Sequence, residues 1–236
     1  LKAESSTGDR AIDIRDSDFS AASATFGGID TPYAAARDEG IFFDDSRLIT
    51  SGAISLNGKV TDNNGAAGIL LDWDKNAIDS KVLVKGQSIS LDGQSSVSAP
   101  GIRFSQKIEL ETTGGPVSVV ATSASGTPAV NVRNLSVKTA GGDLEVSGKT
   151  HLPGSLTIDT TGSGTDGTVT FKDAVDGAGS MVVDAGGAPV SFEDDFLADL
   201  LTLSNASHVQ LAGNLQVSRV VTAAQDYSIS MLGADN

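Results

Sequence analysis

The chain has 236 residues and a formal net charge of -14 at pH 7, from 16 Lys and Arg against 30 Asp and Glu. A field of that sign repels nucleic acid and anionic lipid, and no basic cluster offsets it, so neither is expected as a partner. The absence of cysteine removes disulfides, thiol catalysis and cysteine-ligated zinc, and no run of about 18 apolar residues offers a membrane-spanning helix.

Residues 1–40 read as an irregular or capping coil. Tyr33 lies in the long irregular stretch from Ser20 to Glu39 and is a candidate aromatic for ligand contact. The chain starts at Leu1 and ends at Asn236 just after the strand-like Tyr-Ser-Ile-Ser-Met. We expect a fragment of something longer.

Residues 41–134 read as three-strand coils. One series of short apolar strands runs Gly40-Ile41-Phe42-Phe43, Gly68-Ile69-Leu70-Leu71, Gly101-Ile102-Arg103-Phe104 and Ala129-Val130-Asn131-Val132. A second begins Ile54-Ser55-Leu56, Ile89-Ser90-Leu91 and Val117-Ser118-Val119, and a third Val82-Leu83-Val84 and Ile108-Glu109-Leu110. Many of these strands alternate apolar and polar residues, which buries one face and wets the other. Asn57-Gly58 and Asp92-Gly93 are expected at equivalent corners, with Gly supplying positive φ. Pro100, Pro116, Pro128 and Pro189 each stand just before a strand, where a missing N–H does least harm.

The same segment holds the acidic group Asp72-Trp73-Asp74 with Asp79. Hard cations need several oxygen ligands, so Asp72, Asp74 and Asp79 are candidate calcium ligands. Solvated corners account for such acids more simply. Trp73 is the only tryptophan. It shares strand parity with Ile69 and Leu71, which aims it inward or at a corner. Beside carboxylates it is also a candidate for stacking on a sugar ring.

Residues 135–236 read as shorter-coil repeats. The second series continues through Leu144-Glu145-Val146, Val169-Thr170-Phe171, Val190-Ser191-Phe192 and Val209-Gln210-Leu211. The third continues through Leu135-Ser136-Val137, Leu156-Thr157-Ile158, Met181-Val182-Val183, Leu201-Thr202-Leu203 and Tyr227-Ser228-Ile229. Its steps from Val82 onward are 26, 27, 21, 25, 20 and 26 residues. A unit this short cannot bury its apolar face alone, but stacked copies can. The expected fold is therefore all-β, a right-handed parallel β-helix of roughly eight coils with about 20–28 residues each.

Gly162-Ser163-Gly164-Thr165-Asp166-Gly167 matches a dinucleotide fingerprint, but a strand rather than a helix follows it, so it reads as a loop. His151 and His208 are the only histidines. They fall on well-separated coils, which argues against a His triad or zinc site. No catalytic residue is assigned.

The stretch Gly167 to Met231, with its Val-Thr-Phe and Val-Ser-Phe strands, its Ala-Val-Asp-Gly link and Thr222-Ala-Ala-Gln-Asp-Tyr-Ser228, resembles the β-strand repeats of giant bacterial exoproteins. These are filamentous-haemagglutinin-like or large adhesin repeats. The Gly-Ile-Phe-Phe and Gly-Ile-Leu-Leu coils resemble another repeat type in such proteins. The acidic Ser191-Phe-Glu-Asp-Asp-Phe-Leu-Ala-Asp-Leu200 departs from that pattern. The resemblance implies a secreted or cell-surface bacterial segment that serves in attachment or as a stiff stalk. Implied partners are a surface glycan or protein receptor and the adjacent coils of its own longer chain, with no enzyme activity and no cofactor other than the calcium considered above. The alternative on the same scaffold is a polysaccharide-acting lyase or hydrolase. Against it stand the two Tyr and one Trp, which are few for sugar subsites.

Overall fold

The structure is a computed structural model that describes residues 1, 10–27, 34–36, 39–61, 67–72, 81–124, 126–223 and 228–231, with residues 34–36 as backbone alone. The described residues form strands and no helix. The strands are joined in two long sheets, and every strand pair is parallel, as in Ile89–Ser95 against Val117–Thr122 and Ile108–Thr112 against Asn134–Lys138. Parallel partners need a long connection between them. Here each strand pairs with those one repeat before and after it. The all-β parallel architecture fits a β-solenoid.

The pairings resolve into three columns. The first runs Ile12–Arg15, Ile41–Asp44, Ile69–Asp72, Ile102–Phe104, Val130–Val132, Thr150–His151 and Val175–Asp176. The second runs Asp18–Ala21, Arg47–Thr50, Val82–Gly86, Ile108–Thr112, Asn134–Lys138, Ser155–Asp159 and Ser180–Asp184. Both then enter one long strand, Phe196–Asn205. Its Phe196 pairs with Val175 of the first column, and its residues from Leu200 pair with the second. The strand Leu215–Thr222 lies beside it. The third column runs from Ala24–Phe26 through Ile54–Val60, Ile89–Ser95, Val117–Thr122, Leu144–Ser147, Val169–Phe171, Val190–Phe192 and His208–Leu211 to Ser228–Met231.

Alternation along each strand sends every second side chain inward, and like stacks on like. On the second column Val84, Leu110, Val137, Ile158, Val183 and Leu203 lie in register and are all buried. On the third, Phe171 stacks on Phe192 with ring centroids 5.5 Å apart, and Phe192 meets Phe196 at 4.5 Å. One continuous apolar core runs the length of the stack. Its driving force is burial of aliphatic surface at about 25 cal/mol per Å².

Two sequence expectations need correction, and one series runs further than its pattern shows. Tyr227-Ser228-Ile229 does not continue the Val82 series. Val220–Thr222 takes that place, in register with Leu201–Leu203, whereas Ser228–Met231 joins the third column against His208–Leu211. The series that starts at Gly40 is clear in the sequence as far as Val132. It continues as the two-residue strands Thr150–His151 and Val175–Asp176, which are too short to show a period. Finally, Asn57-Gly58 and Asp92-Gly93 are not corners. They lie inside seven-residue strands, Asn57 in register with Asp92 and Gly58 with Gly93, and neither Gly has positive φ. Space is the reason for glycine there. A Cβ on Gly93 would lie 2.3 Å from the Gly101 carbonyl oxygen and 2.3 Å from Ile102 Cγ1, and one on Gly58 would lie 2.2 Å from the Gly68 oxygen.

The corner between the first and second columns uses Asp instead. Asp16 and Asp45 take φ of 46° and 44°, a left-handed conformation that Asp tolerates better than most residues. The buried Ser46 hydroxyl donates to the Asp44 carbonyl at 2.7 Å and accepts from the Ser17 amide at 3.2 Å. The corner after the second column holds a rank of buried threonines. Thr50 donates to the Gly52 carbonyl, Thr112 to those of Gly115 and Thr139, Thr139 to that of Gly142, and Thr160 to that of Gly167. Each buried hydroxyl thereby finds a backbone acceptor within the corner.

Candidate functional site

Outward side chains also stack in register, and near the C-terminal end of the first column this builds a polar groove. Thr150 and Val175 are partners facing inward, so their neighbours His151 and Asp176 are partners facing outward. His151 Nδ1 lies 2.7 Å from Asp176 Oδ1, and Lys149 Nζ lies 3.0 Å from Oδ2. Partial burial works against ionising Asp176. The hydrogen bonds from His151 and Lys149 outweigh it and hold the carboxyl below its ordinary value. Further along, Asp195 Oδ1 accepts from both the amide and the side-chain nitrogen of Asn214, each at 2.8 Å. Lys149, Asp176, Asp195 and Asn214 border a groove of about 570 Å³, whose apolar floor includes Val175, Phe196 and Leu197.

The groove offers carboxylate and amide acceptors, amide and ammonium donors and an apolar floor, a mixture suited to a hydroxyl-rich ligand. A carboxylate that holds an imidazole by Nδ1 is also half of an acid–base device. The residues lining the groove include no hydroxyl or thiol nucleophile. In the sequence His151 is set apart only from His208, and nothing there links it to Asp176. The signal that would have found the pair is the 25-residue step that aligns His151 with Asp176, and it is hidden because the strands there are two residues long.

Elsewhere the acids clamp neighbouring repeats together. Asp143 Oδ1 accepts from the Thr168 amide at 2.7 Å and from its hydroxyl at 2.8 Å. Asp173 accepts from the Gly148 amide at 2.7 Å, and both Asp184 oxygens accept from Asn205 Nδ2 at 3.0 Å. Asp166 accepts from the amides of Gly187 and Gly162, and those two bonds hold its carboxyl below the ordinary value. The glycine-rich segment 162–167 is thus a loop pinned by its own Asp166, with the Gly167 amide donating to the Thr160 carbonyl. On the outer surface Lys85 bridges to Glu111 and Lys172 to Glu145, each at 2.8 Å. Glu111 is held below its ordinary value chiefly by the Lys85 hydrogen bond.

Of the residues singled out in the sequence, Asp72 ends the strand Ile69–Asp72, in register with Asp44 on the neighbouring strand. Asp92 sits on the third column in register with Asn57. Asp74, Asp79, Trp73 and Tyr33 lie outside the described residues. Among the described residues no three His, Asp or Glu side chains converge as a metal site would require. Comparison with protein-family models, with curated proteins and with solved structures finds no match to this chain.

Proposed function

We propose that the chain is a structural and adhesive segment of a large secreted or cell-surface bacterial protein, akin to the filamentous-haemagglutinin-like exoproteins whose repeats it resembles. In this reading it is a right-handed parallel β-helix that works in attachment or as a stiff stalk. Nine strands follow one another along the third column, so the coil count would be nine against the roughly eight expected from spacing. At about 4.8 Å per coil, the rod would be on the order of 40 Å long. The observation that carries the reading is the register, which is kept from Ile54 to Val209 on the third column with inward apolar residues throughout. Such a stack resists bending and leaves its outward side chains free to meet a receptor. The proposed partner is a glycan or protein on a host or neighbouring cell, and the groove beside Asp176 is the surface offered to it.

The test is a glycan and matrix-protein array probed with the purified chain, in calcium and in chelator. Binding to one ligand class, weakened by Asp176→Ala, supports attachment. Binding that needs calcium would bring Asp72, Asp74 and Asp79 back as ligands. No binding in either condition rejects the adhesive part and leaves the stalk.

A second reading, a polysaccharide-acting lyase or hydrolase, is favoured by one observation: Asp176, Asp195 and Lys149 border one groove, with His151 held on Asp176. Two carboxylates flanking a sugar are the means of glycoside hydrolysis. Release of new reducing or unsaturated ends from a polysaccharide panel, abolished by Asp176→Asn or Asp195→Asn, would establish it. Intact polymers after long incubation would reject it.

A further inference from the structure

On the first column Ile102, Phe104, Val130 and Val132 turn inward and are buried, so Arg103 and Asn131 between them face outward. Register aligns Arg103 with Asn131, Asn131 with His151, and His151 with Asp176. One outward rank therefore carries a guanidinium, an amide, an imidazole and a carboxylate on four successive strands. At about 4.8 Å per strand it spans about 14 Å. Before it the buried, apolar Leu70 aligns with Arg103. Beyond it lies the groove bordered by Asp176 and Asp195.

The two halves of this rank differ in how their hydrogen bonds are met. In the far half, Asp176 is matched by His151 at 2.7 Å and by Lys149 at 3.0 Å. In the near half, Arg103 Nε and Asn131 Oδ1 are buried atoms without a hydrogen-bond partner. They are a donor beside an acceptor on neighbouring strands, yet they do not bond to each other. Buried polar atoms are nearly always satisfied, so two orphans on one face call for a partner from outside. Each side chain as a whole is only half-buried, so a ligand on this face can draw both groups outward and relieve the cost of leaving them unmet.

We propose that this rank binds an acidic glycan, with a uronic acid on Arg103 and Asn131 and a neutral sugar running on toward Asp176. The inference rests on the attachment reading above and names its ligand. Arg103 Nε needs an acceptor, and a guanidinium that makes no ion pair among the described residues favours an anion. Asn131 Oδ1 needs a donor, which a carboxylate is not. A carboxylate and a hydroxyl side by side meet both needs, and a uronic acid carries the two on one ring. Toward the groove the demand reverses. Asp176 and Asp195 would repel a second acid, whereas the hydroxyls of a neutral sugar can donate to them while its ring lies on Val175 and Leu197. A straight rank of even spacing suits a linear polymer. An acidic peptide would also bring carboxylates, but an extended peptide binds by pairing with a free strand edge, and the four strands of this rank are paired on both sides.

Calorimetric titration of the intact chain tests this. The probe is hyaluronan oligosaccharide, in which a uronic acid alternates with a neutral sugar. Dextran, a neutral glycan, and polyglutamate, an acidic peptide, are the comparisons. Binding is expected for hyaluronan alone and should weaken roughly tenfold in Arg103→Gln. Asn131→Asp sets a carboxylate beside Arg103, so it should abolish binding while the melting temperature holds or rises, which separates lost recognition from unfolding. Equal binding of dextran overturns the uronic acid, and equal binding of polyglutamate overturns the glycan. Binding that Asp176→Ala weakens but Arg103→Gln and Asn131→Asp leave intact overturns the inference and keeps the attachment reading. Absence of hyaluronan binding also overturns the inference, and the glycan array then judges the attachment reading separately.

Discussion

The two ends of this stack are built from the same kind of strand, yet inward residues are buried at one, as at Ile12, Ile14 and Phe26, and exposed at the other, as at Val220, Ile229 and Met231. At the N-terminal end, Arg10 pairs with the buried Glu39, and its guanidinium lies 3.8 Å over the Phe42 ring. The outward Phe42 is thereby covered, together with Leu70 and Ala67, in a small apolar cluster outside the main core. At the C-terminal end the same inward pattern is present, but nothing among the described residues lies on it. The comparison teaches that burial in a stacked fold belongs to the neighbour rather than to the residue. Leu201 and Val220 share a register position, and only the one with a repeat on both sides is buried.

The strongest way to break the comparison is to place one charge at both positions. Leu110→Asp sets an unpaired carboxylate between stacked Val84 and Val137 and should cost more than about 4 kcal/mol, enough to unfold the stack locally. Val220→Asp should leave the melt unchanged. Equal stability for both, by circular dichroism melts, would contradict the assigned register.

Glycine gives a smaller contrast. Gly93→Ala forces a methyl into the Gly101 carbonyl and should cost about 1–3 kcal/mol. Gly164→Ala, where a Cβ meets nothing within 4 Å, should cost nothing measurable in urea titration. At the N-terminal end, Arg10→Ala removes one partner of the buried Glu39 and uncovers Phe42. About 2 kcal/mol of lost stability is expected, discounted because Arg10 is itself part-exposed. Arg219→Ala at the C-terminal end should be silent. Thr160→Val removes the donor to the Gly167 carbonyl and should cost about 1 kcal/mol, seen as faster amide exchange around that corner.

The smallest effect is the pH dependence. The carboxyls of Asp166, Asp176 and Glu111 are all lowered in the folded chain. Unfolding therefore binds protons, and the stability these groups contribute is complete above their ordinary values and lost as pH falls through the folded ones. Melting temperature should hold steady from pH 7 to about 5 and fall below about pH 4. Asp166→Asn and Asp176→Asn should each flatten that fall. An unaltered acid limb in both would remove these carboxylates as its source.

Much of this was legible in residue order. The Ile54 series predicts every third-column strand from Ile54–Val60 to His208–Leu211, because alternation of apolar and polar residues is a local property that one strand displays by itself. The Val82 series is right from Val82 to Leu203 and fails at its last member, where Leu215–Thr222 intervenes. The parallel stacking follows from the same repeats, since none of them can bury its apolar face alone. Only the tertiary structure decided what depends on a neighbour elsewhere in the stack. Gly58 and Gly93 looked like turn residues and are spacers against Gly68 and Gly101. Asp143, Asp166 and Asp173 show nothing in residue order of their part as clamps on neighbouring repeats. His151 and Asp176 became a pair only when two-residue strands came into register. Local pattern determines which side chains point inward. What each one meets there, and whether anything covers it, is set by the stacking of repeats, and a single repeat does not encode it.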